Sequence, residues 1–275
     1  MSLLKTPAIT LKSRKWGDAD RIVTFYTLRF GKLRGVARGA RRMKSRFGSA
    51  LEPFVHSELN LFEKANDHLY RITQADIRKS CAALREDLTR MSAAGRLVNL
   101  VAALTGEGDA CVKVYDALSA GLLQIEQQRE DSDVGLTTLL FQIRLLGLTG
   151  FRPRLDPCAA CGKPRNEPAG RFASIAGGLV CQRCANRPGE RTWSLSPGSV
   201  AVLRHALEWS PAVLTRLKAT GQVRDELDKA IESYITTVAG KRLPPIDFLV
   251  AAERQAVYER SIPTRVVGRD DRGIY

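Results

Sequence analysis

The sequence feature that most constrains this chain is a doubled pair of cysteines. Cys158 and Cys161 form one CxxC pair, and after nineteen residues Cys181 and Cys184 form a second. A tight turn lets both sulfurs of a pair face one metal ion, and this spacing is typical of four-cysteine zinc sites. Four thiolates complete a tetrahedral shell and leave no position for water. The pattern therefore predicts one structural Zn²⁺ ion that stabilises the fold and takes no part in catalysis.

The sequence alone leaves other uses of these cysteines open. Four free buried thiols, two CxxC redox pairs and an iron–sulfur cluster are each compatible with the same residues. Cys81 and Cys111 lie outside the pattern, within stretches of helical periodicity, and we expect them to be small buried hydrophobes.

Charge favours a polyanionic partner. The 275 residues carry 43 Lys and Arg against 29 Asp and Glu, a net charge of +14 that suits nucleic acid or an anionic membrane surface. Residues 1–80 hold 17 basic and 7 acidic side chains and so supply +10 of this total. The most apolar stretch, from Val134 to Phe151, is interrupted by Gln142 and Arg144, which favours a buried helix over a membrane span. The N-terminus does not look like a signal peptide, so we expect a cytoplasmic, nucleoid-associated protein.

The basic side chains concentrate in one stretch. Eight of them fall within the eighteen positions from Arg29 to Arg46, and no acid occurs between Arg21 and Leu51. Period-two alternation would place Lys12, Arg14 and Trp16 on one strand face, opposite Ile9 and Leu11. A cationic groove with an aromatic platform is what binding of single-stranded nucleic acid requires, although a solvated basic surface is the alternative. The predicted nucleic-acid-binding residues are Lys12, Arg14, Trp16, Lys32, Arg34, Arg38, Arg41, Arg42, Lys44 and Arg46.

The hydrophobic pattern predicts an α+β multidomain protein. Short alternating runs predict strands at residues 8–16, 21–28, 32–38, 54–62 and 69–75. Five strands in this length favour an OB-fold barrel over an SH3-like one. Helical periodicity follows from about Ser80, with further helices predicted near 112–126, 134–148, 197–207 and 227–238. The expected domains are the barrel (1–79), a helical domain (80–151 and 193–260), an inserted four-cysteine zinc module (152–192) and a flexible tail (261–275).

Catalytic motifs are missing from the sequence. The glycines of GKLRGVARGARR match neither a P-loop nor a dinucleotide fingerprint, and His56, His68 and His205 are isolated in the chain. We therefore expect a protein that is not an enzyme.

Three sequence runs resemble the bacterial RecO family of recombination mediators. They are AITLKSRKWGDADRIVT from Ala8, GKLRGVARGARR from Gly31 and LTGFRPRLDPCAACG from Leu148, and the closing helix from Tyr234 is also similar. The resemblance implies an N-terminal OB-fold, a helical domain and an inserted zinc finger. It also implies binding of single- and double-stranded DNA, strand annealing, and loading of RecA with the partners RecR and the C-terminal tail of the single-strand-binding protein SSB.

A rival hypothesis is a zinc-ribbon RNA- or ribosome-associated factor, in which the ribbon rather than the barrel makes the main contact. A zinc hydrolase is a further rival, and a closed shell of four thiolates argues against it.

Overall fold

The computed structural model describes residues 3–63, 69–128, 130–165, 167–187, 189–208, 214 and 217–243. The predicted tail at 261–275 and the end of the predicted helical domain lie outside these ranges.

The first five strands close into a barrel. They are β1 (Leu3–Trp16), β2 (Asp20–Thr27), β3 (Gly31–Ala37), β4 (His56–Phe62) and β5 (Tyr70–Lys79). Around the barrel the strands run β1-β2-β3-β5-β4, and β4 pairs antiparallel with β1 to complete the circle. The one parallel pairing joins β3 to β5, with Gly35 opposite Tyr70. This Greek-key arrangement of five strands is that of an OB-fold, as predicted from the sequence.

Alternation along the strands builds the barrel interior. In β3 the residues alternate between buried and more exposed positions, with Leu33 and Ala37 facing inward and Arg34 exposed. Val23, Phe25, Leu59, Leu61 and Ile72 fill the same interior from the other strands. Each such side chain contributes about 1.5–3 kcal/mol on burial.

A β-bulge in β1 corrects the predicted faces of that strand. Ile9 pairs with Tyr26, whereas Lys12 pairs with Thr24, so Leu11 is an extra residue without a partner on β2. Directly paired residues of an antiparallel sheet share a face, and so do residues two apart on one strand. Ile9 and Lys12 therefore lie on the same outer face, and the prediction that they lie on opposite faces was wrong. Sequence alternation alone could not register the inserted residue.

The helical domain begins directly after the barrel. Its first helices are α1 (Ala83–Glu86), α2 (Leu88–Leu104), α3 (Val112–Gln127) and α4 (Asp131–Leu148). The first predicted helix is thus broken at Asp87, whose carboxylate accepts a hydrogen bond of 2.7 Å from the backbone N–H of Arg90 and caps α2. α2, α3 and α4 pack on one another, and α4 buries its apolar stretch as predicted.

The cysteine module (residues 152–192) contributes two strands and the first residue of a third to a small sheet. β6 (Gly170–Ala173) pairs with β7 (Gly178–Val180) on one side and with β8 (Thr192–Leu195) on the other, and the short α5 (Gln182–Ala185) follows β7. Phe172, Leu179 and Leu195 point from this sheet into the core of the helical domain. The module is therefore anchored by its sheet, while the cysteines lie in a separate small cluster with Val180 and Ala185.

Two further helices complete the described fold. α6 (Pro197–Glu208) starts at the predicted proline, and α7 (Gly221–Val238) packs against β8 and α6. Glu226 of α7 accepts hydrogen bonds from the Ser196 backbone N–H at 2.7 Å and from the Ser199 hydroxyl at the start of α6. A carboxylate at a helix N-terminus satisfies its free N–H groups and opposes the positive end of its dipole.

The barrel and the helical domain share a tight junction. Ile9, Tyr26 and Phe54 on the outer barrel surface join the core of the helices. The hydroxyl of Tyr26 accepts a hydrogen bond of 3.2 Å from the Cys111 backbone N–H. Gly31 has φ +61°, and a Cβ there would lie 2.1 Å from the carbonyl oxygen of Asp109, so only glycine lets the two backbones approach this closely.

Candidate nucleic-acid interface and metal centre

The outer face of β1, β2 and β3 carries predicted binding residues in register. Lys12 lies opposite Thr24, which lies opposite Arg34, and Arg14 lies opposite Ile22 in the next row. Trp16 ends β1 opposite Asp20, with 57% of its surface exposed. The structure thus brings Lys12, Arg14 and Arg34 to one surface, with an exposed aromatic ring near one end.

The basic loop (residues 38–46) folds against the β1–β2 hairpin. The backbone N–H of Arg41 donates to the Ala19 carbonyl at 2.9 Å, and its guanidinium donates to the carbonyls of Gly17 at 3.1 Å and Asp18 at 2.9 Å. The Gly39 N–H donates to a carboxylate oxygen of Asp20 at 2.8 Å. These bonds fix the loop beside Trp16, so the hairpin and the basic loop form one continuous surface.

Most cations of the basic loop are available to a ligand. Arg38, Arg41, Arg42, Lys44 and Arg46 are all exposed. Within the described part of the chain, the side chains of Arg38, Arg42 and Lys44 form no hydrogen bond or ion pair. The guanidinium of Arg46 stacks 4.9 Å above the ring of Phe47. An unneutralised cluster of this kind repels itself, and a polyanion relieves the repulsion.

Lys32 and Arg34 are engaged within the protein itself. The Lys32 ammonium donates to the carbonyls of Ala102, at 2.8 Å, and Thr105, where α2 ends. Burial there lowers the pKa of Lys32. Arg34 forms a 2.6 Å ion pair with Glu107. Sequence reasoning missed these contacts because Glu107 and the end of α2 are about seventy residues away in the chain.

The four predicted metal ligands converge. The Sγ atoms of Cys158, Cys161, Cys181 and Cys184 all lie within 4.8 Å of one another, and those of Cys161 and Cys181 are 3.9 Å apart. A tetrahedron with Zn–S bonds of about 2.3 Å has edges of about 3.8 Å. The sulfur positions therefore fit one tetrahedral ion.

Backbone hydrogen bonds favour negative charge on the innermost sulfur. The Cys181 N–H donates to the Cys158 sulfur at 3.3 Å. Burial raises the pKa of Cys158, but hydrogen bonds from the backbone of Cys181, Cys161 and Ala160 outweigh it and lower that pKa to about 6. Burial raises the pKa of Cys184, and its hydrogen bonds with the neighbouring thiols raise that pKa further. N–H groups that donate to a sulfur stabilise its negative charge, as a metal-bound thiolate requires, so the donor set and its surroundings fit a metal ion.

An ion pair holds the cysteine cluster's end of the module to α6. Both guanidinium nitrogens of Arg204 bond to the carboxylate of Asp156, at 2.8 and 3.0 Å. These hydrogen bonds lower the pKa of Asp156, which lies two residues before Cys158.

Comparison with known proteins decides the family. A family model described as "Recombination protein O N terminal" matches residues 1–81, and one described as "Recombination protein O C terminal" matches residues 85–245. The chain belongs to the RecO family. A "DNA repair protein RecO" from Desulforamulus reducens is 32% identical over 90% of this chain and 94% of its own. Proteins of the same name from Symbiobacterium thermophilum and Rubrobacter xylanophilus are 33% and 35% identical, covering 90% and 74% of this chain and 97% and 80% of their own.

The two RecO family models meet where the fold changes. The first model ends two residues after β5, and the second begins within α1. All four cysteines fall within the C-terminal RecO model. Among the described residues, none of the helices is both long and apolar enough to cross a bilayer.

Proposed function

We propose that this RecO-family chain is a non-catalytic DNA repair protein. It binds single- and double-stranded DNA, anneals complementary strands, and works with RecR to load RecA on strands covered by SSB. The basic loop beside Trp16 is the observation that carries the proposal. There, unpaired cations lie next to an exposed aromatic ring on the outer surface of an OB barrel.

The basic loop serves phosphates rather than base edges. Arg38, Arg42 and Lys44 are long, exposed side chains on a surface loop, so they follow the phosphate backbone without selecting sequence. Arg41 and Arg46 belong to the same loop, Lys12 and Arg14 extend the surface onto β1, and Trp16 offers a face on which any base can stack. In the fold as it stands, Arg34 contributes only if phosphate displaces Glu107, and Lys32 stabilises the junction.

Annealing follows from the same electrostatics. Two complementary strands repel each other until cations screen their phosphates, and binding releases the counterions that surround each strand. A surface that neutralises backbone charge without gripping the bases leaves them free to pair. The protein then needs no catalytic group for this activity.

The four cysteines would hold one structural Zn²⁺ ion. With four thiolates as ligands the ion has no open position, so it supplies folding free energy to the module and no chemistry. RecR, the C-terminal tail of SSB and RecA are proposed as partners on the strength of the family alone.

Charge reversal tests the DNA-binding surface. We expect the R38E/R42E/K44E variant to lose at least tenfold in affinity for a fluorescein-labelled oligothymidylate, because each reversal replaces an attraction to phosphate with a repulsion. Arg41 is left intact because its guanidinium fixes the loop to the hairpin.

The matched control reverses three exposed arginines of the cysteine module, in the variant R171E/R183E/R187E. We expect this variant to keep its affinity for the oligonucleotide. The opposite pattern, in which the module variant fails and the barrel variant binds normally, would favour the zinc-ribbon alternative and refute the proposal.

A further inference from the structure

Besides the basic loop, a cleft between the cysteine module and α7 is suited to an anionic, partly apolar ligand. It has a volume of about 560 Å³, within the size range of small-molecule sites. Phe151, Tyr234 and Val238 line it from the helical domain, and Ile175 and Ala176 line it from the turn between β6 and β7. Among the described residues that line it, Arg152 and Arg154 are charged and none is acidic.

The two arginines of the cleft differ in what they contact. Arg152 donates to the carboxylate of Glu208 at 3.2 Å and to the carbonyl of Leu207 at 3.3 Å. The guanidinium of Arg154 is exposed and has no hydrogen-bond or ion-pair partner among the residues that the structure describes. The Arg154 backbone is fixed, because its N–H donates to the Gly177 carbonyl and its carbonyl accepts from Leu179. The backbone thus fixes the point at the rim from which this arginine side chain extends.

An apolar side chain lies at the rim of the same cleft. Ile175 is 68% exposed although it sits in a tight turn, a position usually taken by polar or small residues. Its neighbour Ser174 is buried, and its hydroxyl bonds to that of Ser233 on α7 at 2.8 Å, which fixes the turn against the helix. The turn therefore presents Ile175 rigidly to solvent, as an apolar wedge does when it separates stacked bases.

From these contacts we infer that the cleft holds one unstacked nucleotide of single-stranded nucleic acid, with its phosphate on Arg154 and its base against Ile175 and Phe151. The inference rests on the proposed function. It adds a contact on the cysteine module, separate from the basic loop of the barrel. Charge complementarity favours an anionic occupant, and the apolar side chains of Phe151 and Ile175 within a largely polar cleft suit the flat face of a base.

The backbone of the turn argues against an extended peptide as the occupant. A bound peptide strand pairs with free N–H and C=O groups at a sheet edge. Here the N–H groups of Ser174, Ile175 and Gly177 already bond to Arg191, Glu190 and Ala173. A nucleotide needs only the guanidinium and the apolar surface, and both are free.

The test uses an oligothymidylate that carries 2-aminopurine stacked between two adenines. Binding of the wild-type protein should raise its fluorescence, because a base drawn into the cleft leaves the stack. We expect Ile175→Ser to abolish this rise and Arg154→Gln to weaken binding by about three- to tenfold, the scale of one lost phosphate or stacking contact. Arg183→Gln is the matched control, since it removes an exposed arginine of the same module that does not line the cleft, and it should leave both readings unchanged.

The outcomes separate this inference from the proposed function. If the wild-type protein binds DNA and the basic-loop variant does not, while both cleft variants behave as wild type, the cleft inference alone is wrong. It is equally overturned if Arg154→Gln leaves DNA binding intact but abolishes binding of a labelled acidic peptide. If the wild-type protein binds no DNA, the proposed function itself fails.

Discussion

Burial of His56 predicts that the barrel loses stability in mild acid. His56 begins β4, where it pairs with Ile9 on β1 and Lys79 on β5. It is 8% exposed, and its Nε2 atom has no hydrogen-bond partner among the described residues. Burial, assisted by the charge of Lys79, lowers the pKa of His56 to about 4. Glu126, on α3, offsets part of that charge through a 3.8 Å ion pair with Lys79.

The sign and size of the change in unfolding free energy with pH follow from proton linkage. Between the folded pKa of about 4 and the ordinary value near 6.5, the unfolded chain binds a proton at His56 that the folded chain does not. Stability therefore falls as pH falls through this window. Linkage with these two values gives a loss of about 2 kcal/mol between pH 7 and pH 5 and about 3 kcal/mol by pH 4. Carboxylates titrate mostly below pH 5 and contribute little to the first interval.

Urea unfolding of the wild-type protein and of His56→Gln at pH 7 and pH 5 measures the contribution of His56 protonation to stability. Glutamine is similar in size and does not titrate, so the variant should lose about 2 kcal/mol less than wild type across the interval. The proton NMR signal of the His56 ring should titrate with a midpoint near 4. An equal loss in both proteins, or a midpoint near 6.5, would refute the reasoning.

Three other substitutions test the metal site and the domain junction. Cys181→Ser should eliminate bound zinc and unfold the module, because three thiolates leave the shell incomplete. Elemental analysis should find one zinc ion per wild-type chain, and a variant that retains stoichiometric zinc would contradict the four-ligand site. Lys32→Met should lower the free energy of unfolding in urea by about 2 kcal/mol, since the carbonyls of Ala102 and Thr105 lose a charged donor, and should leave DNA affinity unchanged. A loss of affinity without a loss of stability would show that Lys32 binds DNA directly. Gly31→Ala should lower the free energy of unfolding by at least about 1–3 kcal/mol, because alanine is strained at φ +61° and its Cβ would meet the Asp109 carbonyl. A calorimetric melting temperature equal to that of the wild-type protein would show that the junction is looser than described.

Local patterns in the sequence were sufficient to predict most of the architecture. Strand alternation predicted five barrel strands, and the boundaries of β3 and β4 agree with the structure within about two residues, which is the usual uncertainty of element ends. The CxxC spacing predicted which four sulfurs would converge, because each pair is local and a closed shell brings the pairs together.

Features that depend on contacts between residues distant in the chain could not be predicted from the sequence. The bulge at Leu11 reversed a predicted face because register depends on the partner strand. The roles of Lys32 and Arg34 depend on the end of α2 and on Glu107, and no local pattern brings those residues together. The cleft at Ile175 likewise forms only when the module packs on α7.

The most direct test of the proposed DNA-binding surface is the salt dependence of single-strand affinity. Each phosphate contact contributes about 0.7 to the slope of log affinity against log salt concentration for single strands. Neutralising Arg38, Arg42 and Lys44 together as R38Q/R42Q/K44Q should therefore reduce the magnitude of the slope by about 2 and bring the two affinities together at high salt. Identical slopes for the variant and the wild-type protein would show that the basic loop does not hold phosphate.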